Sequence, residues 1–369
     1  MCLNLIQMRA SRLLLRNIST LFRNNGIQYY SQNRRMCSST TMENNPDPSL
    51  ILETCFTFTD SQKELCLGDP NIADMVAKKT ACKEFFYGIE TKALSDGKPA
   101  CLDFNMFLPN MPMWISVVWT KSFSEAIETT TMKYVPNIQM MPKLFEHIPA
   151  MPHLTLFRLT QKHMDDFLAL KLNNVLVIRG DHVEDGQEYS YAYQAVEYLR
   201  KAAGKSLAIS VAGYPEGHTS LATGPPNKAQ DIEYLKLKMD AGADFIVTQL
   251  CYCGDTIVEF LRDARDAGIT APIVLGILIP ENYARYLRMS SFSKVVLSPE
   301  RLKELEEIKE DDAKVQDYFV QLSVCNIVQV IGADLGVSGI HFYTLNRFTP
   351  VLACINELRK LGILKDEDS

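Results

Sequence analysis

The sequence predicts a (β/α)8 TIM barrel forming a single catalytic domain, and two observations carry that prediction. Eight short runs rich in β-branched and aromatic residues recur between residues 85 and 345, and segments with helical periodicity lie between them. Near-continuous apolar strands alternating with amphipathic helices describe a parallel sheet covered on both faces. Eight such units are the count of a closed barrel. A doubly wound open sheet is the alternative, but no GxGxxG follows the first run, so its usual nucleotide signature is missing.

The expected strands are Phe85–Glu90, Trp114–Trp119, His153–Leu159, Asn174–Gly180, Ser206–Tyr214, Asp244–Leu250, Pro272–Leu278 and Val337–Leu345. Helical periodicity marks Ser61–Lys79 ahead of the first strand, then Tyr191–Ala203, Ala229–Ala241, Thr256–Ala267 and Asp311–Ile331. Residues 43–80 are therefore read as an N-terminal extension with a helix, and residues 81–365 as the barrel. The mixed charges of Glu300–Asp312 read as a solvated helix face.

Residues 1–42 differ in kind from the rest. They hold six arginines (Arg9, Arg12, Arg16, Arg23, Arg34, Arg35), no lysine and no acid, and Glu43 is the first acidic residue. Leu13, Leu14, Leu15, Ile18, Leu21 and Phe22 form one apolar helical stripe between the arginines. An amphipathic, Arg-rich, acid-free leader is the pattern of a mitochondrial transit peptide, which predicts a matrix location. A secretory signal is disfavoured because Arg12 and Arg16 interrupt the apolar core. A disordered basic tail on a cytoplasmic protein is the alternative.

The net charge of the chain is −6; without the six leader arginines the body carries −12. An acidic body disfavours a broad electrostatic hold on nucleic acid. No run approaches the roughly 18 uninterrupted apolar residues that a membrane helix needs. Ten cysteines are scattered without a CxxC pair, and the tight pair Cys251-Tyr-Cys253 sits in an apolar run. They read as reduced core fillers. There is no HExxH, no clustered His/Cys/Asp set and no GxSxG elbow, so metal-dependent and serine hydrolases are poorly supported.

Barrel chemistry sits at the carboxyl ends of the strands. Read there, the sequence offers Glu90 after strand one, Arg179-Gly180-Asp181 after strand four and Tyr214-Pro-Glu216-Gly-His218 after strand five. Gln249 ends strand six and Tyr343 to Arg347 ends strand eight, whereas His153 opens strand three. From position alone, Arg179 and Asp181 could simply pair across a turn.

Four segments in register resemble the catalytic domain of methylenetetrahydrofolate reductases. Gly339-Ile-His-Phe-Tyr-Thr-Leu-Asn-Arg347 is close to that family's GLHFYTLNR, and Leu176-Val-Ile-Arg-Gly-Asp181 is similar to its LALRGD. Ile209-Ser-Val-Ala-Gly-Tyr-Pro-Glu-Gly-His218 is similar to SVAAYPEVH, and the stretch Leu235 to Gln249 to LKRKVDAGANRAITQ. The order and spacing hold from about residue 84 to residue 362.

The resemblance implies an FAD-containing barrel that uses NADH or NADPH to reduce 5,10-methylenetetrahydrofolate to 5-methyltetrahydrofolate. It implies Glu90 as the acid that protonates the departing folate nitrogen, its pKa raised by an apolar setting for which Phe85, Phe86, Tyr87 and Ile89 are the candidates. Asp181, Gln249, Tyr343 and Arg347 are the implied substrate contacts, with Asp181 also close to flavin and Gln249 set against the pterin or the nicotinamide. For flavin the resemblance implies His153, Arg179, Gly180, Tyr191, Ala192, Tyr214, His218, Asp231 and Lys238, and Trp119 reads as either packing or a neighbour of the flavin. Arg179 and Lys238 would meet the pyrophosphate, and Gly180 would allow close backbone approach.

The chain also departs from the family pattern. Glu90-Thr-Lys-Ala-Leu94 stands for EFFPP beside the expected nicotinamide, Val118 replaces a threonine, and Leu237 stands where an arginine is common. Extra residues, including Gly224-Pro-Pro226, lengthen the loop between His218 and Asp231, while Gly276-Ile-Leu-Ile-Pro-Glu-Asn282 keeps the sense of GILPVSN. The sequence stops near the end of the barrel, so the expectation is a catalytic domain without the S-adenosylmethionine-binding regulatory domain of animal members. Two other readings stay open: a flavin- or folate-binding barrel without turnover, and a flavin reductase with another substrate. A homo-oligomer is allowed by the sequence and not specified by it.

Overall fold

Eight parallel strands close into a barrel in the computed structural model, which describes residues 55–65, 67–95, 98–119, 131–180, 183–218 and 226–365. The leader at 1–42 and the candidate Asp181 lie outside the described residues. The strands are β1 (Phe86–Lys92), β2 (Trp114–Val118), β3 (Ala150–Thr155) and β4 (Asn174–Ile178). They continue as β5 (Ala208–Gly213), β6 (Phe245–Thr248), β7 (Ile273–Leu278) and β8 (Gly339–Tyr343). Each pairs with the next in sequence, and β8 returns to β1 with Gly339 opposite Phe86 and Phe342 opposite Ile89.

The helices are α1 (Ile72–Ala81), α2 (Pro136–Leu144), α3 (Gln161–Ala169), α4 (Ala192–Ala203) and α5 (Lys228–Asp240). After β6 come α6 (Gly254–Asp266), α7 (Tyr283–Ser293), α8 (Pro299–Ile308), α9 (Asp312–Gly332) and α10 (Thr349–Lys360). Among the described residues, no helix is long and apolar enough to cross a membrane.

Strand alternation divides the core in two. Phe86, Trp114, Met151, Leu176, Phe245 and Val274 fill the barrel interior, whereas Tyr87, Ile89, Ile115 and Val117 belong to the larger core between strands and helices. Counting on by twos along β1 to β3 carries the inner face to Glu90, Val118 and Thr155, which is how the mouth of the barrel acquires its lining. Two inner glycines make room for rings: a Cβ on Gly88 would meet the Trp114 indole at 2.3 Å, and one on Gly339 would meet Phe86 at 2.2 Å. The opposite end is closed by α1, whose Ile72 and Val76 join the inner cluster. Asn174 Oδ1 accepts the Ile72 N–H at 2.7 Å, and the buried Asp69 carboxylate accepts from the Asn173 N–H at 2.7 Å and the Asn174 amide at 2.9 Å.

Three expectations change. The helix read across Ser61–Lys79 is two pieces, Asp60–Glu64 and α1, because Gly68 (φ +61°) and Asp69 (φ +56°) are left-handed and Pro70 follows. Strand three begins at Ala150, so His153 lies inside it instead of opening it. Of the described cysteines only Cys251 and Cys354 are buried; Cys82, Cys101 and Cys253 are exposed, so core filling does not describe them.

Candidate active site

A cavity of about 380 Å³ opens at the carboxyl ends of the strands, within the usual size range of small-molecule sites. Glu90 faces it from the end of β1 and is 5% exposed. Burial pushes its carboxyl up from 4.5 to about 7, opposed mainly by the Leu345 backbone N–H, which donates to Oε1 at 3.2 Å. The charges of Lys92 and Arg285 pull in the same downward direction. An acid balanced near neutrality can release a proton without first being forced into its protonated form. Of the four apolar neighbours expected around it, Tyr87 and Ile89 lie on the outer face of β1 with the helix-side core. The apolar lining of the cavity Glu90 faces comes from other strands and loops, including Leu278, Leu345 and the Tyr343 ring.

His153 projects into the same cavity from β3, 5% exposed, with a buried Nε2 that has no hydrogen-bond partner. Burial lowers its pKa to about 4, so the ring is neutral at physiological pH. Trp119 and Gly180 line this cavity too. Gly180 has φ +81°, and a Cβ there would meet Thr155 at 2.6 Å, so only glycine fits the turn after β4.

A second cavity adjoins the first and shares Ala212, Tyr214 and His218 with it. Its walls bring together Arg179, Tyr191, Ala192, Asp231 and Lys238. Arg179 donates through Nε to the Ser190 carbonyl at 3.0 Å, while its buried Nη1 has no partner. Lys238 is buried, donates to the Ala212 carbonyl and sits 5.4 Å from the Tyr214 ring centre. Burial lowers its pKa to about 8. His218 is lowered to about 4 by burial and then by the charges of Arg179 and Lys238. Its backbone N–H is held by Asp231 at 2.7 Å. Tyr191 stacks on Tyr234 at 5.0 Å and on Tyr193 at 5.7 Å. Two cations with an unused donor beside a stack of aromatic rings are suited to a phosphate-bridged aromatic cofactor.

The remaining candidates divide. Gln249 lines the main cavity, and because its Oε1 accepts the Leu250 N–H at 2.9 Å, the amide presents its Nε2 as donor. Tyr343 lines it by its ring, but the phenol donates to the Thr248 carbonyl at 2.7 Å. Arg347 is not among the lining residues; its side chain is 57% exposed and leans toward Glu281 at 3.6 Å. The altered residues after Glu90 are pinned: Asn346 accepts from the Thr91 hydroxyl at 2.9 Å and the Lys92 N–H at 2.8 Å. Glu216, read from the sequence at the end of strand five without a role, lines the cavity too and is joined to Cys251 at 3.2 Å, whereas Met289, Phe292 and Ser293 of α7 at the mouth were missed. The motif ending in Asn282, which caps α7 by accepting the Arg285 N–H at 2.8 Å, was the available signal for that helix.

Compared with known proteins, residues 104–359 match the family model for methylenetetrahydrofolate reductase. A probable methylenetetrahydrofolate reductase (NADH) of Oryza sativa subsp. japonica is 36% identical over 236 residues, covering 59% of this chain and 39% of its own. Methylenetetrahydrofolate reductase (NADH) 1 of Zea mays is 35% identical, covering 69% and 44%. Methylenetetrahydrofolate reductase 2 of Saccharomyces cerevisiae is 31% identical, covering 71% and 44%. The chain thus spans less than half the length of these relatives. Among solved structures, an uncharacterized protein from Clostridium thermocellum, described as binding two copies of 5-methyl-5,6,7,8-tetrahydrofolic acid, shares the fold. It superposes with a TM-score of 0.53 at 12% identity over 79% of this chain and 100% of its own.

Proposed function

Because this chain belongs to the methylenetetrahydrofolate reductase family, we propose that it reduces 5,10-methylenetetrahydrofolate to 5-methyltetrahydrofolate, with NADH or NADPH as hydride donor and FAD as resident cofactor. The observation that carries the reading is Glu90, a buried carboxyl poised near neutrality at the head of a ligand-sized cavity. Opening the five-membered ring of the folate leaves a nitrogen that needs a proton, and Glu90 supplies it. Arg179 and Lys238 would hold the pyrophosphate of FAD, the Tyr191–Tyr234 stack would meet its adenine, and the unpartnered His153 Nε2 would bond to the ring system. When bound, FAD supplies the two-electron relay between nicotinamide and folate. Gly180 would let the backbone approach it closely, and Asp181 would hydrogen-bond folate beside it.

The test is an anaerobic absorbance experiment on the purified chain. Bound flavin should bleach with NADH or NADPH and recolour on adding methylenetetrahydrofolate, with recolouring lost in Glu90→Gln and bleaching retained. Yellow protein that neither nucleotide bleaches would favour a binding barrel, with the pinned Thr91 and Lys92 as the place to look. Bleaching without recolouring would favour another acceptor. No flavin, bound or taken up, would sink the cofactor assignment. Residues 1–42 are proposed to direct import into mitochondria; a fluorescent fusion of that segment that stays in the cytosol would remove this part.

A further inference from the structure

The pair Cys251-Tyr-Cys253, just past the end of β6, takes no part in the chemistry above. Cys251 is buried, and Cys253 is exposed at the N-cap of α6. The chain bends at Tyr252 and the Cys251 thiol turns back along it, its Sγ 3.5 Å from the Cys253 carbonyl oxygen. Tyr252 anchors the bend. Its ring packs on Phe319 at 5.6 Å and on Tyr286 at 5.9 Å, and its carbonyl accepts from the Asn326 amide at 3.1 Å. One thiol open to solvent thus stands two residues from a second that is shielded, with the backbone between them fixed.

The shielded thiol has a base beside it. Cys251 Sγ donates to Glu216 Oε1 at 3.2 Å, and among the described residues no other side chain donates to that carboxylate. Glu216 is held in the turn after β5, where the Gly217 N–H donates to the Tyr214 carbonyl at 3.0 Å. Burial pushes the Cys251 thiol up, so the thiolate that attacks sulfur does not form there unaided. Burial also raises the Glu216 carboxyl, which suits it to take up a proton. An exposed sulfur to meet an oxidant, a buried sulfur to displace it and a carboxylate to receive the buried proton are the parts of a thiol–disulfide exchange site.

We propose that Cys253 and Cys251 exchange with disulfides of low-molecular-weight thiols, such as glutathione disulfide, closing a reversible Cys251–Cys253 bridge with Glu216 as the proton acceptor. The inference is independent of the folate reading. Cys253 gives its proton to solvent and attacks one sulfur of the external disulfide. A mixed disulfide forms, and the first thiolate leaves and takes up a proton. Cys251 then passes its proton to Glu216 and attacks the Cys253 sulfur. The second thiolate leaves and recovers that proton from Glu216. Two protein thiols are oxidised to one disulfide, and the external disulfide is reduced to two thiols. A bridge across one anchored residue stays strained, which keeps it open to reduction by the same thiol. Closing it also takes from Glu216, on the wall of the cavity that holds Glu90, the thiol that donates to it.

The experiment incubates the purified, reduced full chain with glutathione disulfide, quenches with acid and maps the peptide holding 251–253 by mass spectrometry, with the exposed Cys82 as reference. Wild type should lose two hydrogens from that peptide, keep no glutathione on it, and regain both hydrogens in excess reduced glutathione. Cys251→Ser should hold glutathione on Cys253, and Cys253→Ser should react at neither position. In Glu216→Gln the adduct should form on Cys253 at the wild-type rate and then persist, its closure slowed roughly 100-fold, the low end of what a positioned base contributes. Glu216→Asp should close at an intermediate rate. Wild type that keeps glutathione on Cys253 would overturn the proposal. So would a peptide that stays unreacted while Cys82 reacts, or one that bridges to a cysteine outside the pair. Closure at the wild-type rate in Glu216→Gln would overturn the role of Glu216. Adduct formation slowed as much as closure would make Glu216 a structural residue, also against the proposal. The two cysteine variants decide the bridge even where a Glu216 variant fails to fold.

Discussion

The Leu345 backbone N–H donates to the Glu90 carboxyl at 3.2 Å, so the acid at the end of β1 is held by the loop that follows β8. The neighbouring Thr344 hydroxyl donates to the Glu90 carbonyl at 2.6 Å, and Asn346 grips Thr91 and Lys92 just beyond. The junction where the barrel closes, β8 against β1, is thus also the place where its acid is oriented. Burial alone would drive the carboxyl further up; the Leu345 bond, Lys92 and Arg285 bring it back to about 7.

That balance sets a pH dependence. Glu90 can donate only while protonated, and its protonated fraction falls as pH rises through about 7. The folate half-reaction, followed by recolouring of reduced protein, should therefore slow about tenfold per pH unit above that value. Bleaching by the nicotinamide donor needs no such proton and should not follow the same curve. A folate step that is flat from pH 6 to 9 would remove Glu90 from the acid's role.

The same shift affects stability. In the unfolded chain Glu90 returns to an ordinary carboxyl near 4.5, against about 7 when folded. Its contribution is fully present below pH 4.5 and is lost as pH rises through 7, where the folded state must bury a charge. Glu90→Gln should then stabilise the protein by about 3 kcal/mol at pH 9 and by little at pH 5. Thermal melts at the two pH values check this, and a variant no more stable at pH 9 would mean that the carboxyl is better solvated than its burial implies.

Lys238 supplies a contrasting case. It is buried, its pKa is lowered to about 8, and it lines the second cavity beside Arg179. A bound pyrophosphate favours the charged form, so FAD affinity should weaken up to about tenfold per pH unit above 8, as the free protein sheds that proton. Lys238→Met should weaken FAD binding by roughly 10- to 100-fold and flatten the dependence. Flavin fluorescence titrations between pH 7 and 9.5 read both. Unaltered affinity in the variant would move the pyrophosphate elsewhere.

Much of this architecture was legible because parallel barrel strands are apolar on both faces and therefore read as short continuous runs. The register within them was harder. β3 begins at Ala150, three residues ahead of the expected His153, and holds Pro152 inside it, opposite Val117. Phe85, Phe86, Tyr87 and Ile89 precede Glu90 in the sequence as candidates for its apolar setting, whereas alternation sends Tyr87 and Ile89 to the other face. Arg347 followed the motif into the expected site, but Glu281, from the loop after β7, draws its side chain outward. Glu216 stood in a quoted motif; its hydrogen-bond partner Cys251 is 35 residues away, and only the fold brings the two together.

The tightest test of the barrel interior is Gly88. Trp114 lies across its inner face, stacked on His341 at 5.8 Å with an interplanar angle of 5° and close to Phe86 at 6.0 Å and Phe245 at 6.4 Å. A Cβ at Gly88 would stand 2.3 Å from the indole, and a ring wedged among three others has no low-energy rotamer to escape into. Overpacking of a rigid site should cost Gly88→Ala about 3 kcal/mol, seen as a fall of roughly 5–10 °C in Tm at matched scan rate. Trp114→Phe should also destabilise, by leaving a void. The double variant should melt higher than the two losses added together predict, because the smaller ring makes space for the methyl group. Strictly additive losses would mean that the methyl group clashes with something other than Trp114, and that the indole does not set the glycine at this position.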